Sequence, residues 1–358
     1  MKATVLIMAG GTGGHVFPAL AVAERLKEKG VTVVWLGTKK GIEAKVVVEA
    51  GYKIHWLSVS GLRGKNKWSL IFMPFKLMFA CLQALWVMIN VKPAAVLGMG
   101  GFASGPGGLM AFLCRKPLLV HEQNAIPGMT NTLLSKLSDV VMEAFPQSFS
   151  ISKPVQLIGN PVRANILAIS EPVERLKNRQ GKLNILVVGG SLGAAALNKT
   201  LPEMMALNKN AEQLTVWHQT GNRNYDETVE TYKAFNVEAR IGAFIDNMAE
   251  AYEWADVVVC RAGAMTVSEL AQAGVASILI PYPYAVDDHQ TANAAYLVEN
   301  GAAVLLPQSE LSAERLSQEL ATLTREKIMK MSVAAQKCAA PEAAEKVAAL
   351  CMKAGALV

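Results

Sequence analysis

Three signatures are missing from this 358-residue chain. No acidic residue closes the second apolar run, which ends Trp35-Leu36-Gly37-Thr38-Lys39-Lys40. Dinucleotide enzymes place a carboxylate there to hold the ribose, so NAD and FAD are disfavoured. No glycine turn continues as Gly-Lys-Ser or Gly-Lys-Thr, which excludes a P-loop. The five cysteines (Cys81, Cys114, Cys260, Cys338 and Cys351) are odd in number, widely spaced and in no Cys-x-x-Cys pair. They read as reduced cytosolic thiols, mostly in the core, and not as a zinc site. Low-complexity tracts and short-period repeats are also absent. The opening Met1-Lys2-Ala3-Thr4 runs straight into an apolar strand without an n-region or a cleavage site, so no signal peptide is expected. Charged residues make up only 18% of the chain against 52% hydrophobic. That is enough for two cores, and the length favours two domains.

Charge is divided unevenly. Residues 1–162 hold 17 Lys and Arg against 7 Asp and Glu, a net +10, whereas residues 163–358 hold 18 against 22, a net −4. A basic half suits nucleic acid, anionic lipid or an anionic substrate, or is simply a solubilising surface.

Two glycine turns each close an apolar run: Val5-Leu6-Ile7-Met8-Ala9-Gly10-Gly11-Thr12-Gly13-Gly14-His15, and Ile185-Leu186-Val187-Val188-Gly189-Gly190-Ser191-Leu192-Gly193-Ala194. A buried parallel strand reads as a continuous apolar run, and a glycine turn lets a phosphate approach bare amides at a helix start. In the first half, strands are expected at 3–9, 31–36, 53–58, 94–98, 117–121, 139–143 and 155–158, with helices at 17–29, 42–50, 69–90, 105–114 and 128–137. In the second half, strands are expected at 183–188, 214–218, 237–241, 256–260, 276–280 and 302–306. Helices there fit 193–208, 225–235, 246–253, 265–273, 288–299, 312–322 and 325–338, and a last helix at about 342–354 follows Pro341. This alternation predicts an α/β chain of two Rossmann-like domains with parallel sheets. The boundary is expected at the turn Gly159-Asn160-Pro161-Val162, dividing the chain into 1–161, 162–341 and the helix of 342–358.

Residues 68–91, from Trp68-Ser69-Leu70-Ile71-Phe72-Met73-Pro74-Phe75 onward, are long enough to span a bilayer. Pro74, Lys76 and Gln83 interrupt them, and a spanning helix there would pull the sheet apart. Apolarity on nearly all sides nevertheless exceeds what one buried face needs. The expectation is a helix whose outer face, with Trp68, Ile71, Phe72, Phe75 and Phe79, meets a membrane surface. Lys65 and Lys67 flank it, and each basic side chain near anionic lipid contributes about 1 kcal/mol.

Four segments carry candidate chemistry. His15 directly follows the first glycine turn, which makes it a better catalytic candidate than an isolated histidine. A second turn, Gly98-Met99-Gly100-Gly101-Phe102-Ala103-Ser104-Gly105-Pro106, offers backbone N–H groups to an anion such as a diphosphate. His121-Glu122-Gln123-Asn124 ends an apolar strand, where open α/β sheets bind ligands, and Glu122 and Asn124 suit sugar hydroxyls or a helix cap. In the second half, Arg261-Ala262-Gly263-Ala264-Met265-Thr266-Val267-Ser268-Glu269 opens a helix after Asp256-Val257-Val258-Val259. Its turn suits a diphosphate, and Glu269 suits vicinal ribose hydroxyls. The pair Asp287-Asp288 looks superficially like a metal site, but no metal is assigned.

Taken in order, six segments resemble the MurG family, the peripheral membrane N-acetylglucosaminyltransferases of peptidoglycan synthesis. They are Gly10-Gly-Thr-Gly-Gly-His15, Gly100-Gly-Phe-Ala-Ser-Gly-Pro106, His121-Glu-Gln-Asn124, Gly159-Asn-Pro-Val-Arg163, Gly189-Gly-Ser-Leu-Gly-Ala194 and Arg261 to Glu269. The resemblance implies a GT-B fold, with its two sheets facing a deep interdomain cleft and the last helix returning to the first domain. It implies transfer of GlcNAc from UDP-GlcNAc to the C4 hydroxyl of MurNAc in lipid I, with inversion, giving lipid II. The donor would be held by Ser191, Phe244, Ile245, Ala264, Met265, Thr266, Val267, Ser268, Glu269 and Gln290, with Thr12, Gly13, Gly14, Asn124 and Arg163. The acceptor diphosphate would lie on Gly13, Gly14, Gly100, Gly101 and Ser104. Inversion calls for a base, with His15 the first candidate and Glu122 the second. The implied setting is the cytoplasmic face of the plasma (inner) membrane, peripheral, with anionic lipid and other wall-synthesis enzymes as partners, without nucleic acid, cofactor or essential metal. A 2-epimerase or another glycolipid transferase on the same donor is the nearest rival. A catalytically silent membrane-bound sugar-nucleotide sensor is a rival of another class.

Overall fold

The computed structural model describes residues 3–59, 73–190, 193–207 and 213–357. The chain forms two compact units, Met1–Arg163 with Ala340–Val358, and Ala164–Ala339. The chain therefore leaves the first unit one residue beyond Val162 and re-enters it at Ala340.

The first unit is built on seven parallel strands: β1 (Thr4–Ala9), β2 (Thr32–Gly37), β3 (Lys53–Trp56), β4 (Ala95–Gly100), β5 (Leu118–Glu122), β6 (Val140–Glu143) and β7 (Val155–Leu157), in the order β3-β2-β1-β4-β5-β6-β7. Each of the seven falls on an expected strand, although β3 (Lys-Ile-His-Trp) and β7 (Val-Gln-Leu) mix polar and apolar residues. Helices α1 (Gly13–Glu28), α2 (Glu43–Glu49), α3 (Met73–Val91), α4 (Ser104–Leu113) and α5 (Met129–Leu137) connect them. Strand β1 is buried on both faces, between two apolar clusters. Val5, Ile7 and Ala9 pack with α1, and Leu6 and Met8 pack with Ala84, Val87 and Met88 of α3.

The second unit opens with two short helices that the periodicity did not indicate, α6 (Ala164–Leu167) and α7 (Pro172–Leu176). Its strands are β8 (Leu183–Val188), β9 (Leu214–Gln219), β10 (Arg240–Gly242), β11 (Val257–Cys260), β12 (Ala276–Leu279) and β13 (Ala303–Leu305). They form a parallel sheet in the order β10-β9-β8-β11-β12-β13. Its helices are α8 (Ala195–Leu207), α9 (Tyr225–Ala234), α10 (Met248–Trp254), α11 (Ala264–Ala273), α12 (His289–Glu299), α13 (Ala313–Ala321) and α14 (Arg325–Lys337). The last helix, α15 (Ala343–Ala354), belongs to the first unit, where it packs on α1 and Lys29 pairs with Glu345 at 2.7 Å.

Each sheet reverses its winding between two central strands, β1 and β4 in the first unit and β8 and β11 in the second. Such a switch point opens a crevice beyond the strand ends, the ligand position of open α/β sheets. The turns at 10–14 and 100–104 leave β1 and β4, while Gly189–Gly190 and residues 261–264 follow β8 and β11. The topology thus brings the glycine-rich segments together in pairs.

Helix α3 is long and apolar enough to cross a bilayer by length and composition alone, but one face lies on the sheet. Ala80, Ala84, Val87 and Met88 are buried, and Gln83 Oε1 accepts from the Ser58 amide at 2.8 Å. The other face is open and apolar: Phe75 is 64% exposed and Trp86 57%, with Met78, Phe79, Leu82 and Ile89 beside them. Helix α4 packs against α3 and adds exposed Phe112 and Leu113. Lys65, Lys67, Trp68, Ile71 and Phe72 lie outside the described residues.

Candidate functional site

In the first unit, helix α1 starts at Gly13, four residues earlier than expected, so Gly13, Gly14 and His15 form its first turn. The first amides of a helix have no acceptor within it. No acidic residue offsets their charge in the first turn of α1, or in that of α4. A helix N-terminus without an acid in its own first turn favours an anion by about 0.3–1 kcal/mol.

The glycine turns lie against one another. Gly101 has φ +85°, and a Cβ there would stand 2.2 Å from Gly10 O. Gly100, at φ +105°, lies under the His15 ring, where a Cβ would come within 2.8 Å of Nδ1. A buried carboxylate fastens the first turn: Glu43 Oε2 accepts from Gly11 N at 2.9 Å, and Oε1 accepts from Thr38 N at 2.9 Å and Thr38 Oγ1 at 2.7 Å. Glu43 thus lies beside the end of β2, although no acid ends that strand in sequence.

His15 Nδ1 lies 2.7 Å from Gln123 Oε1. Gln123 Nε2 reaches His121 Nδ1 at 3.0 Å and His121 O at 2.9 Å, and His121 Nε2 lies 2.9 Å from Gly159 O. His121 is fully buried, which pushes its pKa down to about 4, against the smaller opposing effects of the Gly159 hydrogen bond and Glu122. Glu122 is 1% exposed and accepts four bonds, from Asn124 N, Asn124 Nδ2, Gly128 N and Asn131 Nδ2. Its carboxylate is spent on holding the loop of residues 123–128.

In the second unit, Gln219 bridges two turns. Its Oε1 accepts from Gly190 N at 3.1 Å, and its Nε2 donates to Gly190 O and Ala243 O at 3.0 Å. The glycine turn after β8 is thereby tied to residues 242–245, where Phe244 is exposed and Ile245 buried. Helix α11 starts at Ala264 after Gly263 and has no acid in its first turn. One turn further in, Glu269 is 7% exposed and accepts from Tyr252 Oη at 3.2 Å. Gln290 Oε1 accepts from Ala262 N and Tyr282 N, so its Nε2 hydrogens are what it offers a ligand. Ser191 lies outside the described residues.

The comparisons with known proteins follow this division. The glycosyltransferase family 28 N-terminal domain matches residues 5–143 and its C-terminal domain matches residues 184–348. The UDP-N-acetylglucosamine–N-acetylmuramyl-(pentapeptide) pyrophosphoryl-undecaprenol N-acetylglucosamine transferase of Nitrosococcus oceani is 53% identical over 99% of both chains. Its namesake from Methylococcus capsulatus is 51% identical over 99% of both. The crystal structure of Acinetobacter baumannii MurG superposes with a TM-score of 0.85 at 41% identity, covering 98% of this chain and 100% of that one. The chain belongs to the MurG family of glycosyltransferases. Its two sheets are those of the GT-B fold. A UDP-GlcNAc 2-epimerase from Neisseria meningitidis shares that fold alone, at 14% identity and a TM-score of 0.69.

Not every residue expected from the MurG motifs is placed to touch a ligand. Ser104 is fully buried, and its single hydroxyl hydrogen is shared between Gly100 O and Met8 O, 2.8 and 2.9 Å from Oγ. It fastens α4 to β1 and β4, and its hydroxyl hydrogen is turned to those carbonyls and not outward to a diphosphate. Val267 is also fully buried, and its amide already bonds to Gly263 O at 2.9 Å. Helical periodicity turns it into the core, while Met265, Thr266 and Ser268 stay partly exposed. Arg163 lies over the Phe17 ring in the first unit, 5.4 Å from its centroid. Thr12 is exposed, and Asn124 is half-buried on the Glu122 loop. Sequence reasoning overlooked Glu43, Gln123 and Gln219 as organisers of the turns. The available signal was a polar residue at the end of an apolar strand, for Gln123 and Gln219, and an acid soon after one, for Glu43. Among the described residues no group of three or more His, Cys, Asp or Glu is placed to hold a metal.

Two buried histidines make stability depend on pH. Burial pushes His218 down to about 3, as it pushes His121 to about 4, whereas an unfolded histidine titrates near 6.5. Between those values the unfolded chain binds protons that the folded chain refuses, so stability is full above pH 6.5 and falls as pH drops toward 4. His121 alone accounts for about 3 kcal/mol of that loss. Urea unfolding free energies should decline over this window, and a flat profile would show that these histidines are not buried neutral.

Proposed function

We propose that this chain transfers GlcNAc from UDP-GlcNAc to the C4 hydroxyl of MurNAc in lipid I, producing lipid II with inversion at the anomeric carbon. The observation that carries this reading is the full-length agreement with the MurG transferases, together with two glycine-lined switch points of unequal chemistry. The second unit takes the donor. The backbone of Ile245 pairs with uracil and Phe244 covers the ring. Glu269, held by Tyr252, accepts from the ribose hydroxyls, and charge-assisted bonds of that kind contribute about 1.5–3 kcal/mol. The diphosphate lies at the N-terminus of α11 and on the turn around Ser191, with Met265, Thr266 and Ser268 alongside. Gln290, through its Nε2 hydrogens, holds the GlcNAc hydroxyls.

The acceptor diphosphate takes the amides of Gly13, Gly14, Gly100 and Gly101. In one in-line step the C4 oxygen bonds to the anomeric carbon and its proton passes to His15 Nε2. The bond from that carbon to the diphosphate oxygen breaks, and UDP leaves with the electron pair. Charge on UDP is met by backbone amides and the α11 dipole, without a metal. His15 suits the base better than Glu122, whose four donors and burial keep it from a substrate. A positioned base contributes roughly 10²–10⁴-fold.

The first unit docks on the cytoplasmic face of the inner membrane, as a peripheral protein beside other wall-synthesis enzymes. Residues 50–121 contain no Asp or Glu, so nothing in that stretch repels anionic lipid. The open apolar faces of α3 and α4 lie within it.

Two measurements test these assignments. UDP release should require lipid I, and His15→Ala should lose turnover by roughly 10²-fold or more with near-normal UDP-GlcNAc binding. Acceptor-independent epimerisation would overturn the transferase reading, and near-normal turnover of His15→Ala would remove the base. Phe75→Asp with Lys65→Glu and Lys67→Glu should reduce sedimentation with anionic vesicles, and unchanged sedimentation would end the docking assignment.

A further inference from the structure

We infer that Gln123 and His121 are positioning residues that lock the His15 ring in its Nδ1–H tautomer and leave the Nε2 lone pair for the acceptor hydroxyl. The inference deepens the assignment of His15 as the base and rests on it.

The direction of the whole chain of hydrogen bonds is set by two backbone carbonyls, which can only accept. Gly159 O lies 2.9 Å from His121 Nε2, so that nitrogen carries the hydrogen. The ring is buried and neutral, so its Nδ1 carries the lone pair. Gln123 Nε2 stands 3.0 Å from this lone pair and 2.9 Å from His121 O, and its two hydrogens are both used. The amide nitrogen therefore faces His121, and Oε1 faces His15. At 2.7 Å from a pure acceptor, His15 Nδ1 must be the donor. In the neutral ring the hydrogen is then on Nδ1 and the lone pair on Nε2, which bonds to nothing among the described residues.

Two further contacts keep the arrangement from relaxing. The Gln123 main chain is held by Asn160 Nδ2, which donates to Gln123 O at 2.9 Å. The His15 ring rests on Gly100, where even a methyl group would collide with Nδ1 and Cε1 at 2.8 Å. The ring is thus bounded by the Gly100 backbone and tied to Gln123. The orienting group is an amide with its own fixed polarity, so tautomer control here needs no second carboxylate. In the opposite tautomer the acceptor hydroxyl would meet an N–H and find no base.

Ring ¹⁵N spectra of the full-length protein labelled at histidine read the tautomer directly, with the His15 signals identified by their loss in His15→Gln. The wild type should show a protonated Nδ1 and an unprotonated Nε2 at His15. Gln123→Met, similar in shape but unable to hydrogen-bond, should move His15 toward a tautomer mixture. It should also lower kcat by roughly 10- to 10²-fold, less than loss of the base itself, with the KM for UDP-GlcNAc unchanged. A wild-type His15 protonated at Nε2 would overturn the inference, and needs no variant to detect. So would a Gln123→Met protein whose kcat falls while its His15 signals stay in place. The tautomer is read without substrate, so its failure is separable from that of the base assignment, which His15→Ala turnover decides.

Discussion

Everything at the working end of each sheet depends on one requirement: buried polar groups at the strand C-termini must be satisfied without blocking the crevice between the central strands. A parallel sheet ends in a row of main-chain groups that the next strand does not pair. Ordinary helix caps would meet that need and close the site. This chain uses buried side chains instead. Glu43 bonds to Gly11 and Thr38, Glu122 to Asn124, Gly128 and Asn131, and Gln219 to Gly190 and Ala243. Each lies beneath a turn and holds it from behind. The first turns of α1, α4 and α11 contain no acidic residue of their own, the arrangement that favours an anion at a helix N-terminus.

The same device yields different chemistry in the two units. Behind the turns of the first unit, Gln123 links the two histidines, and Gly100 brings the chain close under His15. Behind the turns of the second, Gln219 joins the segment after β8 to residues 242–245, and Tyr252 holds Glu269. One arrangement presents a ring nitrogen and the other a ribose-sized carboxylate near a helix N-terminus. The net charges of the two halves, +10 and −4, and the open apolar faces of α3 and α4 follow the same asymmetry. The proposed lipid-linked anionic acceptor matches the first unit in this respect, and the proposed nucleotide the second.

The sheets were legible because buried parallel strands are apolar runs, and those runs fall within a residue or two of the observed strands almost everywhere. Strand β10 is the exception: Arg240–Gly242 is short, and its pairing with β9 is set by tertiary context more than by its own residues. The start of α1 was misplaced because Gly13 and Gly14 read as turn residues, and only the packing of the turn makes them helical. Ser104 and Val267 show the limit of reading sites from motifs. Both lie within family signatures, yet one fastens a helix to two strands and the other faces the core. Neither outcome is encoded by residue type. Glu43, Gln123 and Gln219 escaped notice for the converse reason, since long-range partners 32, 108 and 29 residues away define their roles.

The central claim is that the two glycine-lined switch points divide donor from acceptor. A crystal structure of the protein with UDP-GlcNAc and a short-chain MurNAc-diphosphate lipid tests it most directly. The account predicts uracil at Phe244 and Ile245, ribose on Glu269, and the MurNAc C4 hydroxyl about 2.6–3.2 Å from His15 Nε2. Nucleotide bound on the turn of Gly10 to Gly14, or an acceptor hydroxyl remote from His15, would contradict it.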